Sequence, residues 1–399
     1  MLSEQSLPVV RATLPVVGGA IGEITERFYP RMFAAHPELL RDLFNRGHQA
    51  DGTQKQALAG SIATFATFLV ERPDERPDAM MARIAHKHAS LGVTSEQYKI
   101  VHEHLFAAIV EVLGEAVTPE VAAAWDEVYW LMANALIAAE AQLYQESGVA
   151  EGEVWRDMVV SGRHAETPDA VSLTLRRADG GPVEPFLPGQ YVSVQATLPD
   201  GARQIRQYSL SQAPGHPEWR ITVKRLRGED ARPQGEVSSW LHENVRPGDT
   251  LTVSAPFGGL TLPEGEGPLL LASAGIGATP MLAMLDHLAA TGSTRPVLVA
   301  HADRTPADHA HRAELTRLTS ELPGASLHLW YEDAHASVPG ARAGRTDVAA
   351  LDLPPGLTAY LCGPLPYLKS VRGALLEQGV APAAIHYEVF GPDLWLGRD

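Results

Sequence analysis

At 399 residues with 45% hydrophobic side chains, the chain is long enough to need more than one hydrophobic core. Its formal charge of −16 argues against nucleic acid and anionic membrane as partners, since both require a positive face. The single cysteine, Cys362, excludes an internal disulfide and any all-cysteine metal site, and fits a reducing compartment.

The first residues, Met1 to Val10, lack a charged leader followed by an unbroken apolar run, and no stretch of about 18 apolar residues follows. A soluble, cytoplasmic protein without stable membrane association is expected. Helical spacing dominates up to about residue 148. Phe28 and Tyr29 are assigned to a second helix, and Gln54 precedes Leu58, Ile62 and Phe65 on one stripe. In a helix over 78–91, Met81, Ile84, His88 and Leu91 share an apolar stripe while His86 points elsewhere. Thr94-Ser-Glu-Gln97 reads as a capping box for the next helix, which turns Tyr98 inward with Leu105 and Ile109. After Pro119, the stripe of Tyr129, Met132, Leu136 and Leu143 includes Glu140, a carboxylate that should not stay unpaired on an apolar face. His88 is then either a hydrogen-bonded core residue or a ligand. An imidazole on iron wants its other N–H held by an acceptor, a role that suits Glu140 and Tyr98. Opposite such a pocket, Tyr29 and Gln54 either donate to dioxygen or serve ordinary packing and solvation.

The pattern changes at Ser147-Gly148 to short alternating runs separated by Pro-Gly and Asp-Gly turns. Val171–Leu175, Gln190–Val194, Arg206–Leu210, Trp219–Val223 and Thr250–Val253 read as an antiparallel barrel. Arg206-Gln-Tyr-Ser209 offers a cation for phosphates, a hydroxyl for a flavin ring and an aromatic beside it. Gly228 to Gly235 reads as an exposed loop. Gly235-Glu-Val-Ser238 then leads a helical pattern and fits either a pyrophosphate at a helix start or an ordinary helix after a glycine turn. From about Gly267 strands and helices alternate through Leu269–Ala272, the helix at Pro280, Val297–Ala300, Leu327–Trp330 and Ala359–Cys362, which implies a parallel sheet. Within it, Leu271-Ala-Ser-Ala-Gly-Ile-Gly-Ala-Thr-Pro280 runs an apolar strand into two glycines and a helix start. That is a cradle for a dinucleotide pyrophosphate, or else a tight turn without ligand. Arg304, after the Val297 strand, either meets a ribose 2′-phosphate or is a solvated arginine. Cys362 suits a small buried hydrophobe ending its strand.

Phe28-Tyr-Pro-Arg-Met-Phe33, His36-Pro-Glu-Leu39, Phe44, Gln54, Ala85-His-Lys-His88, Glu96-Gln-Tyr98 and Glu140 resemble a bacterial globin of the flavohaemoglobin family. The order Pro188-Gly-Gln-Tyr191, Arg206-x-Tyr-Ser209, Gly235-x-Val-Ser238, Gly275-x-Gly-x-x-Pro280, Cys362-Gly-Pro364 is similar to ferredoxin-reductase-like modules. The resemblance implies a multidomain fold: an all-α globin over 1–148, an antiparallel β-barrel FAD domain over 149–263 and an α/β parallel-sheet NAD(P) domain over 264–399. It implies haem b on His88, with Tyr98 and Glu140 as the partners of that ligand. Phe44 would pack on the haem, Tyr29, Gln54 and Leu58 would form the distal pocket, and Lys87 would lie near the haem edge. FAD would be held by Tyr191, Arg206, Gln207, Tyr208, Ser209, Gly235, Val237, Ser238, Glu388 and Phe390, with Phe390 covering the flavin until nicotinamide displaces it. NADH or NADPH would meet Gly275, Ile276, Gly277, Ala278, Thr279, Pro280, Cys362, Gly363 and Pro364. Two departures stand out: Val389 lies where other members carry cysteine, and the Leu226–Gln234 loop is long for the family.

Nicotinamide gives two electrons and haem iron accepts one, so a flavin between them is required. The implied activity is nitric oxide dioxygenase, detoxifying NO with O2 to nitrate. Alternatives are an NAD(P)H-dependent haem reductase acting on peroxides or other acceptors, and a haem-based O2 or NO sensor. The expected partners are these small molecules, with no nucleic acid and no obligatory protein.

Overall fold

Val10, Val17, Ile24, Phe28 and Met32 form one stripe along a single helix, α1 (Ser6–Ala35), and all are 3% exposed or less. Pro15 and Pro30 lie inside it, each forfeiting a backbone hydrogen bond, yet burial of the stripe outweighs that loss. Phe28 and Tyr29 therefore lie on the first helix and not on a second. By length and composition α1 could cross a membrane, but its stripe is part of a protein core.

The computed structural model describes residues 1–75, 77–228, 233–333 and 338–391, so residues 229–232 of the Leu226–Gln234 loop lie outside the described residues. After α1 come α2 (Pro37–Asp42), α3 (Arg46–Ala50), α4 (Thr53–Glu71), α5 (Asp78–Leu91), α6 (Ser95–Leu113) and α7 (Pro119–Glu146). Phe65, Met81, Leu105, Trp125, Val128 and Leu136 close one core with α1. The expected capping box opens α6, where Thr94 and Gln97 satisfy each other's backbone N–H groups. At α7 the Thr118 hydroxyl accepts from the Val121 N–H.

Two compact units result, one of Met1–Trp155 with Thr197–Ile205, the other of Arg156–Ala196 with Arg206–Gly391. Gln204 explains why its short segment folds with the helices. Its fully buried amide donates to the carbonyls of Leu40, Arg41 and Phe44 at 3.1–3.3 Å and accepts from the Arg46 N–H, satisfying carbonyls that the end of α2 leaves unpaired.

The antiparallel region contains β1 (Trp155–Thr167), β2 (Ala170–Arg177), β3 (Tyr191–Thr197), β4 (Arg203–Ser209), β5 (Trp219–Lys224), α8 (Glu236–Asn244) and β6 (Thr250–Ser254). The sheet order is β4-β3-β6-β1-β2-β5, and a Leu210–Ile221 bridge returns the end of β4 to β5, so the sheet curls into a barrel. β1 is a strand the sequence pattern concealed. Of its thirteen residues only Met158 and Val160 are buried, and charged side chains interrupt the alternation.

The parallel region follows with β7 (Leu269–Ala274), α9 (Ala278–Ala290), β8 (Val297–Asp303), α10 (Arg312–Glu321), β9 (Ala325–Tyr331), β10 (Arg342–Ala343), β11 (Thr358–Cys362), α11 (Leu365–Glu377) and β12 (Ile385–Glu388). Its order, β10-β9-β8-β7-β11-β12, reverses direction between β7 and β11. In open parallel sheets such a switch point opens a crevice at the carboxyl ends of the strands. Leu269, Leu270, Leu271 and Ala272 of β7 are all fully buried, as a strand covered on both faces requires. The three expected layers are thus present: all-α, antiparallel barrel and α/β parallel sheet. Leu271→Ala is expected to cost about 2–5 kcal/mol in urea unfolding followed by tryptophan fluorescence; a cost under ~1 kcal/mol would contradict this core assignment.

Candidate functional site

In the helical unit, α5, α6 and α7 each contribute one inward polar group. Glu140 is 2% exposed and Tyr98 7%. The Tyr98 hydroxyl donates to Glu140 Oε1 at 2.5 Å, and His88 Nδ1 lies 2.9 Å from the same oxygen and 2.9 Å from the phenol oxygen. Because a carboxylate only accepts, Nδ1 carries the proton, and the lone pair of Nε2 is left for a ligand. Burial, reinforced by the neighbouring Glu140 charge and hydrogen bond, drives the Tyr98 phenol well above its usual pKa, so it stays a donor. Tyr129 and Tyr144 fix the backbone around this triad by donating to the carbonyls of Tyr98 and Val93. The donor set fits one axial position on a haem iron. Among the described residues, no three or more His, Cys, Asp or Glu side chains are grouped to hold a metal ion by themselves.

Tyr29, 3% exposed, packs against Phe28, Phe33 and Phe44 with ring centroids 4.7, 5.7 and 6.0 Å away. Burial raises its phenol pKa against the opposing pull of the Gln54 and Gln49 side chains. Tyr29, Gln54 and Phe44 are thus brought together, and Leu58 packs against the same core. Gln49 was not anticipated; it belongs to the short α3, where a single helical turn gives no periodicity to read. Lys87 directly precedes His88 on α5.

On the barrel, Tyr208 is half-buried, and desolvation raises its phenol pKa, partly offset by the charge of Arg206. Ser209 is 5% exposed. The Gln207 side chain donates to Ser193 Oγ at 3.0 Å. Tyr191 exchanges backbone hydrogen bonds with Phe257. Gly235 precedes α8, whose start has no side-chain cap; Val237 is buried, and Ser238 donates to the Gly235 carbonyl. The N–H groups of this first turn are oriented to receive phosphate oxygens.

In the parallel sheet, Gly275 (φ 55°), Ile276 and Gly277 form a tight turn into α9, and no side chain caps that helix. Thr279 donates to the Ile276 carbonyl at 3.0 Å, and Thr279 and Pro280 are both buried. Any Cβ at Gly277 would lie 2.3 Å from the Cys362 carbonyl oxygen and 2.8 Å from the Gly363 nitrogen, so the Gly275–Pro280 and Cys362–Pro364 segments close on each other. Register places Cys362 between Ser273 and Glu388. Burial, then the Glu388 charge, raises the Cys362 thiol, which keeps it an inert wall. Phe390 is 47% exposed.

Two further groups, Lys224 and the Ser273–His301 pair, escaped sequence reading, and Arg304 acquires a partner. Lys224 Nζ would stand 3.6 Å from a Cβ at Gly275, a cation at the cradle contributed by a barrel strand. Ser273 bonds His301 Nδ1 at 2.9 Å beneath the turn. Arg304 lies 3.7 Å from Asp308, a carboxylate that Thr305 also holds. Lys224 and the Ser273–His301 pair depend on which strands are neighbours, which single-strand patterns do not carry.

A globin model matches residues 26–136 and an oxidoreductase NAD-binding domain model matches residues 271–373. A flavohemoprotein of Bordetella parapertussis is 42% identical over 403 residues, covering 98% of this chain and 99% of that one. The crystal structure of flavohemoglobin from Malassezia yamatoensis with bound FAD and heme superposes with a TM-score of 0.89 at 38% identity, covering 98% of this chain and 100% of that one. The flavohem-like FAD/NAD-binding domain of nitric oxide dioxygenase from Vibrio cholerae gives a TM-score of 0.56 at 40% identity, covering 59% of this chain and 99% of that one.

Gly277→Ala is expected to weaken NAD+ binding about tenfold or more, or ~1.4 kcal/mol, in calorimetric titration. Unchanged affinity would show that the two segments need not close on each other.

Proposed function

Because the chain belongs to the flavohaemoglobin family, the flavohemoproteins, whose members match 98% of it, we propose that this oxidoreductase is an NAD(P)H-dependent nitric oxide dioxygenase. The observation that carries the reading is that one polypeptide holds both an imidazole with its Nδ1 secured by Glu140 and a dinucleotide cradle at a sheet switch point. When bound, the nicotinamide supplies electron pairs, FAD divides them, and haem iron delivers single electrons to dioxygen, which combines with NO as nitrate. Haem b belongs to residues 1–148, FAD to 149–263 and nicotinamide to 264–399.

The residues' parts follow from their surroundings. His88 Nε2 holds the iron, and Glu140 with Tyr98 keeps the ring in one tautomer and one orientation and raises its donor strength. Tyr29, its proton retained by burial, donates to the distal ligand, with Gln54 beside it and Phe44 and Leu58 keeping the pocket apolar. Arg206, Tyr208, Ser209 and the start of α8 hold the flavin, covered by Phe390. Gly275–Pro280, Lys224 and Cys362–Pro364 hold the dinucleotide. NADH is the favoured donor, because the arginine directly after β8, Arg304, is paired with Asp308 and Asp303 stands beside it as a buried carboxylate; both disfavour a 2′-phosphate. A cytoplasmic location accords with the free, buried Cys362.

With haem and FAD loaded, NADH-dependent NO consumption at an electrode should require oxygen and yield nitrate. NADH oxidation without NO loss would instead move the activity to peroxides or other acceptors. Tyr29→Phe should slow NO turnover by about a hundredfold while leaving NADH-to-flavin reduction intact; full activity would remove Tyr29 from the pocket. Asp308→Asn, which frees Arg304, should lower the KM for NADPH in the same assay, and an unchanged KM would leave Arg304 without influence on the choice of donor.

A further inference from the structure

Among the described residues, the one non-glycine residue in the left-handed region is His311 (φ 60°, ψ 19°), directly before α10. An L side chain in that region is strained and persists only where its surroundings hold it. The surroundings here are specific. The imidazole is 2% exposed, with Nε2 2.8 Å from Thr222 Oγ1 and 3.4 Å from Ser172 Oγ. Nδ1 lies 3.2 Å from a Glu314 oxygen and 3.4 Å from a Glu166 oxygen. Nδ1–H therefore donates to carboxylate, and Nε2 shares a hydrogen bond with the Thr222 hydroxyl.

The groups that meet His311 come from three barrel strands. Ser172 and Thr222 face each other across β2 and β5, with hydroxyls 3.0 Å apart. Glu166 sits at a register shift of β1 between Ala165 and Thr167, a bulge that re-aims its side chain, and accepts from Ser172 at 2.6 Å. On the α10 side, Glu314 pairs with Arg220 of β5 at 3.0 Å. Burial pushes Glu314 up, but the hydrogen bond from His311 and the Arg220 charge bring it down to about 2, so the cluster keeps its carboxylate at working pH. Two local irregularities, a bulge in the barrel and a strained residue after β8, are thus aimed at one junction within a single compact unit.

We propose that His311 is a positioning residue for flavin reduction: its imidazole latches the dinucleotide-binding sheet to the flavin-binding barrel and so fixes the approach of nicotinamide to flavin. The inference rests on the functional reading above. A second contact, in which the Ala213 N–H donates to Asp286 of α9 at 2.7 Å, keeps the sheets associated when the imidazole is removed. The latch therefore governs alignment, and the fold survives without it.

The test is anaerobic stopped-flow reduction of FAD by NADH in the full-length, haem- and FAD-loaded protein, comparing His311→Gly, Thr222→Val and the double variant. Glycine accepts the positive φ, so His311→Gly removes the imidazole without backbone strain, and Thr222→Val removes the hydroxyl that meets Nε2 with little change of volume. The limiting reduction rate should fall about tenfold in His311→Gly, since small misplacements cost orders of magnitude in rate, with NADH affinity and FAD content unchanged. Thr222→Val should add little to the glycine variant, as expected for partners in one interaction. A limiting rate within about twofold of the unaltered protein, or a loss fully accounted for by weaker NADH binding or released FAD, overturns the latch alone. Failure of the unaltered protein to reduce its flavin with NADH overturns the functional reading and the latch with it.

Discussion

A carboxylate on the apolar face of a helix is costly unless it is paired, and Glu140 is paired twice, by the Tyr98 hydroxyl and by His88 Nδ1. Removing either partner leaves an acceptor 2% exposed and under-satisfied, so the three helices that carry these groups are held in one register. The same contacts decide the chemistry. With the Nδ1 proton committed to Glu140, the Nε2 lone pair is the one left for a ligand, and the ring cannot rotate without breaking the bond.

The reductase half rests on a different constraint, the close approach of two backbone segments at the switch point of the parallel sheet. Gly277 has no room for a Cβ beside Cys362, and the β7-β11-β12 register sets Ser273, Cys362 and Glu388 side by side. A bound dinucleotide would meet backbone N–H groups from an uncapped helix start and a lysine from the neighbouring barrel, so positive potential is local. That resolves the tension between a chain of formal charge −16 and ligands that are themselves anionic.

What could be read in advance was whatever one element carries alone. The stripe that turns His88, Tyr98 and Glu140 inward is a property of each helix, as is the capping box at Thr94, and the strand-glycine-helix signature is contiguous. Phe28 and Tyr29 lie on the first helix although Pro15 falls inside it, and the buried stripe from Val10 to Met32 shows why the helix continues. β1 was hidden by its charged residues, which are outward-facing on a barrel. Gln49 lies on a single helical turn with no period to read, while Lys224, Ser273 with His301, and the His311 cluster depend on which strands are neighbours, and nothing in a local pattern encodes that.

The most direct test of the central claim is the iron–histidine stretching band in resonance Raman spectra of the ferrous, haem-loaded protein and of Glu140→Gln. A carboxylate accepting from Nδ1 gives the imidazole partial anionic character, so the band should lie high in the parent protein and drop in the glutamine variant, with haem content unchanged. An identical band in both proteins would mean that Glu140 does not govern His88, and the account of the site would fail at its base.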